Sequence, residues 1–261
     1  MLASAPLKCH HSGMTHNSAV APLAFDGGTT GILFCHGFTG SPASLRPWAE
    51  FMTRHGYSVR LPLLPGHGTS WRDMRDTTWE RWYAVELDAF RDLQRRCDRV
   101  FVFGLSMGGT LTLRLAEELG TEVAGITLVN ALANTLHPAA PLAPLLQWVV
   151  PSLKSIGNDI KRPGMNEHCY DRMPVRSVVE LSRLSADVTA NIKKVTQPAL
   201  LFASIEDHLV NPVNSQWIAD NIASDDVSSI VLENSYHVAT LDHDDEAIFN
   251  ASLKFVQRLE G

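Results

Sequence analysis

The sequence predicts an α/β protein with a mostly parallel central sheet flanked by helices, and three observations carry that prediction. Apolar runs of strand length alternate with segments of helical spacing along most of the chain. One such run, Val100 to Leu105, leads directly into Gly104-x-Ser106-x-Gly108 and then into a helical stretch from Thr110 to Leu119. The alternation breaks once, between Asn130 and about Asp187. Regular strand–helix alternation requires crossover connections, and these give parallel strands covered on both faces.

The elements follow in order. Residues 1–20 read as a loose tail, with Met14 as an alternative start. Gly31 to Cys35 is the first strand and ends at His36-Gly37; Ser41 to Tyr57 then has helical spacing through Leu45, Trp48, Ala49 and Met52. Tyr57 to Leu61 is a second strand, followed by a Pro/Gly-rich loop to Gly68. Thr78 to Arg96 predicts a helix, with Trp79, Trp82, Phe90 and Leu93 on or near one face. Val123 to Val129, Ala199 to Ala203 and Val227 to Leu232 are further strands, and Ala247 to Leu259 closes the chain as an amphipathic helix. The body is thus expected over residues 21–130 and 188–261. Residues 131–187 mix Pro138, Pro141, Pro144, Pro151, Pro163 and Pro174 with apolar groups such as Leu142, Leu146, Trp148 and Val149. That stretch is too apolar for a solvated linker and too irregular for another strand–helix unit. It reads as a cap inserted after a strand's carboxyl end, the side of an open sheet where ligands bind.

Composition narrows the function. A chain of 261 residues, 45% hydrophobic and 19% charged, suits one large domain with an insertion. A net charge of −6 without a basic cluster argues against nucleic acid as a partner. No apolar stretch approaches the ~20 residues of a membrane span. The first residues lack the basic start and apolar core of a secretion signal, so a cytoplasmic location is expected. Cys9, Cys35, Cys97 and Cys169 are scattered without the spacing of a metal site or a disulfide framework. No histidine pair has helix-face spacing around a carboxylate, and no Gly-rich loop carries a phosphate-reading lysine. No metal or other cofactor is expected, and no obligate protein partner is implied.

The chemistry begins at Ser106. On a sharp strand-to-helix turn a serine is held in strained backbone with its Oγ exposed, and flanking glycines are needed because a Cβ there would collide with strand and helix. The first amides of the new helix lie beside it, where they can stabilise negative charge. A serine hydroxyl is a weak nucleophile near neutral pH, so it needs a base and the base needs an orienting acid. On this kind of sheet the chain order is Ser, then Asp or Glu, then His, each at a strand's carboxyl end. After Ala199 to Ala203 the loop offers Glu206, Asp207 and His208, of which we choose Asp207 as the acid. After Val227 to Leu232 the loop offers His237 as the base, with His243 as its rival nearer the final helix. Asp242, Asp244 and Asp245 read as carboxylates at that helix's positive end. Oxyanion donors are expected from the backbone N–H of Met107, directly after the nucleophile, and of Phe38 in His36-Gly-Phe-Thr-Gly40. His36 and His67 are read as loop-bracing rather than catalytic.

These residues resemble a known family. His36-Gly-Phe-Thr-Gly-Ser-Pro42, Leu64-Pro-Gly-His-Gly-Thr69, Gly104-Leu-Ser-Met-Gly-Gly-Thr-Leu-Thr-Leu113, Glu206-Asp-His208 and Asn234-Ser-Tyr-His-Val-Ala-Thr-Leu-Asp242 are similar to the bacterial monoacylglycerol lipase and carboxylesterase group of the α/β-hydrolase fold. The Bacillus-type monoacylglycerol lipases are the nearest match, extending into Ser155-Ile-Gly-Asn-Asp-Ile-Lys161 of the cap. The resemblance implies an α/β-hydrolase with a Ser106–Asp207–His237 triad, Phe38 and Met107 as oxyanion donors, and hydrolysis of monoacylglycerols to fatty acid and glycerol. The alternative is a general carboxylesterase acting on short- to medium-chain esters. The resemblance also implies that Glu167 binds the glycerol head, with Asp171 as the alternative if the register shifts, and that Ile156 is the apolar residue beside the pocket mouth. The expected partner is a small-molecule lipid ester. The apolar stretch Leu142 to Val150 suits the cap to transient contact with lipid surfaces.

Overall fold

The computed structural model describes residues 19–133, 143–155 and 157–261. The main sheet is built from β1 (Leu23–Phe25), β2 (Thr30–Cys35), β3 (Ser58–Leu61), β4 (Arg99–Leu105), β5 (Gly125–Val129), β8 (Ala199–Ser204) and β9 (Val227–Leu232). Between β5 and β8 the chain adds β6 (Ser152–Lys154) and β7 (Arg172–Pro174), which among the described residues pair only with each other, antiparallel. The seven strands lie in the order β1-β3-β2-β4-β5-β8-β9. β1 is antiparallel to β3, and every other neighbouring pair is parallel. All of the parallel strands therefore end on one edge, where their loops converge.

Helices cover both faces. They are α1 (Arg46–Arg54), α2 (Trp71–Arg75), α3 (Trp79–Gln94), α4 (Met107–Leu119), α5 (Ala143–Leu146), α6 (Val175–Asn191), α7 (Val213–Asn221) and α8 (Asp245–Glu260). Side chains alternate across a strand, and the core divides accordingly. Ile32, Phe34, Phe101 and Phe103 pack with Trp48 and Met52 of α1 and with Ile248 and Phe255 of α8. Leu33, Cys35, Val100 and Val102 face Trp82 and Phe90 of α3, Leu111 and Leu115 of α4, and Leu184 and Val188 of α6. The expected doubly covered, mostly parallel sheet is what the chain forms.

The differences have local causes. α4 begins at Met107 rather than Thr110. Gly108 and Gly109, which look like turn residues, are helical, and close neighbours require glycine at both: a Cβ on Gly108 would strike the carbonyls of Cys35 and His36, and one on Gly109 the Ala131 side chain. The stretch read as too irregular for another strand–helix unit contains the β6–β7 pair and most of the 17-residue helix α6. α6 is rich in valine and serine, which are mediocre helix formers. Burial of Val175, Val179, Leu184 and Val188 supplies what propensity does not. The helix runs through residue 187, where the junction between cap and body was expected. Residues 1–18, part of the cap stretch (134–142) and Ile156 lie outside the described residues. No helix among the described residues is long and apolar enough to cross a membrane.

Candidate active site

Ser106 sits between β4 and α4 with φ 57° and ψ −122°, a backbone conformation that costs about 1–3 kcal/mol for a residue bearing a Cβ. The turn holds it there. Its N–H donates to the Val129 carbonyl (3.0 Å), and its carbonyl accepts from Gly109 (2.9 Å), Thr110 (3.3 Å) and Leu132 (3.3 Å). A Cβ on Gly104 would meet the Gly108 carbonyl and Thr112 Oγ1. Both glycines are therefore fixed by close approach, as the motif predicts. Met107 is the first residue of α4, so its N–H has no acceptor within the helix.

The second loop lies against this turn. A Cβ on Gly37 would be 3.5 Å from Ser106 Cβ, which brings the Gly37–Phe38 backbone beside the serine. His36 braces the loop from beneath. Its Nε2 accepts from Leu64 N–H at 3.2 Å, so Nδ1 carries the proton and donates to the Gly37 carbonyl at 3.0 Å. Burial pulls its pKa down to about 4, so it stays neutral near pH 7. His67 packs edge-on to it, with ring centroids 5.1 Å apart, and burial lowers its pKa to about 3, helped by the charge His36 would carry. Thr39 holds φ at 60°, and its carbonyl accepts from Tyr170 N–H of the insertion at 3.1 Å.

The residues expected as acid and base, Asp207 and His237, meet across the ends of β8 and β9. Asp207 Oδ2 lies 2.7 Å from His237 Nδ1, with side chains 1% and 6% exposed. The other carboxylate oxygen, Oδ1, accepts from the amides of Leu209 (2.8 Å) and Val210 (2.7 Å), which fixes the carboxylate's plane. Burial works to lower the His237 pKa. The hydrogen bond and charge of Asp207, followed by the charges of Glu167 and Asp159, outweigh it and leave the pKa raised above 6.5. Asn130, with φ 46°, links this pair to the serine turn. It follows Val129, whose carbonyl holds Ser106, and its Nδ2 donates to the His237 carbonyl at 2.8 Å and to Ser204 Oγ at 2.9 Å.

The rival groups lie elsewhere. Glu206 pairs with Lys161 at 2.9 Å, and His243 is exposed. Asp242 differs from the expected helix-end carboxylate. It is fully buried and accepts four backbone amides, from Lys161 (2.6 Å), Arg162 (2.9 Å), Tyr236 (2.9 Å) and His243 (2.8 Å). Asp245 does begin α8, yet it also pairs with Arg162 at 2.8 Å.

Glu167 is 8% exposed and enters the site from the insertion. Its Oε1 accepts from Asn158 N–H at 2.6 Å, and its Oε2 would lie 3.7 Å from a Cβ on Gly40 in the Phe38 loop. Asp171, the alternative, is exposed at the start of the β7 segment. Ile156 lies outside the described residues. Sequence reasoning missed Asn130, Asp159 and the full role of Asp242. A polar residue ending an apolar strand was the one available signal for Asn130.

A serine on a helix N-terminus, joined through Asn130 to a carboxylate-oriented imidazole, can support nucleophilic acyl transfer. This fold and site define a hydrolase of the α/β-hydrolase class. The chain belongs to the serine aminopeptidase S33 family, whose model matches residues 29–244. It is 42% identical over 245 residues to the thermostable monoacylglycerol lipase of Bacillus sp. strain H-257, covering 94% of this chain and 97% of that protein. It is 25% identical to a Bacillus subtilis carboxylesterase over 92% of this chain and 97% of the relative. A solved structure from the metagenome-derived lipolytic enzymes LipS and LipT superimposes with TM-score 0.90 at 40% identity, covering 92% of this chain and 98% of that one. The Paleococcus ferrophilus monoacylglycerol lipase shares the fold, with TM-score 0.77 at 16% identity over 91% and 98% of the two chains. Carboxylic ester hydrolysis is the reaction class of this chain.

Proposed function

We propose that this chain is a monoacylglycerol lipase that works through Ser106, His237 and Asp207. The observation that carries the reading is the 2.7 Å contact between Asp207 Oδ2 and His237 Nδ1 at the loops flanking the strained Ser106. With Nδ1 engaged, Nε2 is the nitrogen left to take the Ser106 proton as Oγ attacks the ester carbonyl. The N–H groups of Met107 and Phe38 hold the tetrahedral oxyanion, and losing one such donor costs about 3–4 kcal/mol of transition-state stabilisation. Protonated His237 then delivers its proton to the departing glycerol oxygen. A water molecule, deprotonated by His237, clears the acyl-enzyme, while Asp207 keeps the imidazole in the required tautomer.

Residues 131–187 form the cap over this site in the same reading. Glu167 recognises the glycerol hydroxyls through Oε2. A buried carboxylate left without those hydroxyls would forfeit about 1–3 kcal/mol. The acyl chain lies along apolar cap surface, each buried CH₂ adding about 0.8 kcal/mol. The 42% identity to a named monoacylglycerol lipase supports this choice of ester. Leu145, Trp148 and Val149 are each at least 75% exposed, and Arg75 and Arg176 line a depression with Trp148 and Val149. That surface supports transient contact with lipid aggregates. The free thiols of Cys35, Cys97 and Cys169 fit a reducing cytoplasm.

The test compares turnover of a monoacylglycerol with that of the methyl ester of the same acid. Ser106→Ala removes hydrolysis of both, and Glu167→Ala removes the preference for the glycerol ester. Retained hydrolysis in Ser106→Ala would overturn the triad. An unchanged preference in Glu167→Ala would leave a general carboxylesterase.

A further inference from the structure

One residue of the insertion bonds to both loops that carry the acid and the base. Asp159 lies in the segment following Asn158, its side chain 10% exposed. Its Oδ2 accepts from the backbone N–H of His237 (3.2 Å) and of His208 (3.3 Å), the residue after Asp207. Its Oδ1 lies 2.9 Å from His208 Nδ1, and its own carbonyl accepts from Val238 N–H at 3.1 Å. Thus one side chain sets the spacing between the loop after β8 and the loop after β9. Asp242 works in the opposite direction, since it belongs to the body and accepts from Lys161 and Arg162 of the insertion. Two carboxylates, one from each side, hold the segment 158–162 against the Asp207–His237 pair.

We propose that Asp159 is a positioning residue for His237: its carboxylate holds the backbone of the loop that carries the catalytic base, and without it the imidazole is misaligned. The proposal rests on the triad reading above. The nearest loop partners of His237, Asp207 and Asn130, both come from the body; neither bonds to the backbone N–H of residue 237. An imidazole displaced by a fraction of an ångström loses its line to the serine while the ester pocket is retained. The signature is therefore a fall in kcat with KM little changed. Charge gives a second signature. The charged groups facing His237 are Asp207 from the β8 loop and Glu167 and Asp159 from the insertion, and all three favour the imidazolium.

The experiment measures kcat and KM for p-nitrophenyl butyrate across pH in the full-length chain and its Asp159→Ala, Asp159→Asn, Arg162→Ala and Ser106→Ala variants. Asp159→Ala is expected to lower kcat about tenfold or more with KM nearly constant. Asp159→Asn keeps a carbonyl oxygen for the two amides, so it recovers most of that rate. Both Asp159 variants move the acidic limb of kcat/KM to lower pH, because a negative charge facing the imidazole is gone. Arg162→Ala breaks the ion pair to Asp245, another tie between segment and body, and retains kcat. Three results would each overturn the proposal: an Asp159→Ala kcat within about twofold of the parent, an equal loss in Arg162→Ala, or an unmoved acidic limb in Asp159→Asn. If Asp159→Ala fails to fold, Asp159→Asn decides through that limb. Turnover persisting in Ser106→Ala would instead sink the triad reading, which separates the two failures.

Discussion

Replacing His67 by glutamine should make the fold measurably less sensitive to acid. His36 and His67 lie ring against ring beneath the Phe38 loop, and both are almost fully buried. Burial pulls their pKa values from 6.5 to about 4 and about 3. The folded state therefore keeps each imidazole neutral over a range in which the unfolded chain protonates it. The unfolded state binds the extra protons, so stability is complete above the unfolded pKa of 6.5 and falls as pH drops towards the folded values. At about pH 5 both remain neutral in the fold, and each costs roughly 2 kcal/mol, about 4 for the pair. Against a total stability of about 5–15 kcal/mol, that is a large share.

The measurement is urea unfolding of parent and His67→Gln at about pH 8 and about pH 5. Glutamine has its own cost in the native packing, but that cost is present at both pH values and cancels in the difference. His237 acts with the opposite sign, because its folded pKa is raised; its contribution is full at low pH and common to both proteins. The variant should lose about 2 kcal/mol less than the parent between the two conditions. Equal losses in the two proteins would show that His67 is protonated in the fold at pH 5, and the burial argument for it would fail.

Three more outcomes follow from named groups. Burial raises the Glu117 pKa to about 8, so the fold holds it neutral while the unfolded chain ionises; Glu117→Gln should raise the melting temperature at pH 8 by about 2–4 °C, with the gain fading towards pH 4.5. Gly108→Ala drives a Cβ into the carbonyls of Cys35 and His36 and displaces the Phe38 loop; kcat should fall about 100-fold while circular dichroism still reports the native helix content. The raised pKa of His237 places the acidic limb of kcat/KM above pH 6.5, and Asp207→Asn, which removes the main raising influence, should move that limb down.

Much of the body was legible in the sequence because its signals are local. Val100 to Leu105, the Gly-x-Ser-x-Gly turn and the strand-end loops each carry their own pattern, and chain order then pairs Asp207 with His237. The insertion was harder to read. α6 is built from valine and serine and owes its helix to burial against α4 and the body core, which no short window reveals. α2 is only five residues long, and β1 is only three, too short for periodicity to register. Asp159 and Asp242 act through backbone amides 78 and 81 residues distant along the chain. Nothing in their neighbours' side chains announces that role, since any residue type offers the same N–H. Glu167 came from family resemblance, and its burial beside Gly40 is what a spacing rule could not supply.

Backbone strain gives a reading of the site that is independent of side-chain chemistry. Among the described residues, five that bear a Cβ have positive φ: Thr39, Ser106, Asn130, Asn158 and His168. Each such residue costs up to about 1–3 kcal/mol, least for asparagine and most for β-branched threonine. If these residues were accidents of loop packing, they would scatter over the surface. Instead Thr39 lies in the Phe38 loop, Ser106 is the turn itself, Asn130 joins that turn to His237, and Asn158 and His168 bracket the hydrogen bonds that hold Glu167. The strain is held by specific bonds: Tyr170 N–H on the Thr39 carbonyl, Leu132 N–H on the Ser106 carbonyl, and the Asn158 side chain on Glu167 N–H. Two of the five positions belong to the insertion, so the insertion is strained where it meets the body loops as well as at its hydrogen bonds. An insertion that merely covered the sheet would have no need of left-handed backbone beside Glu167. The same backbone cost in body and insertion argues that the two are built to fit one another around the loops that carry Ser106, His237 and Glu167.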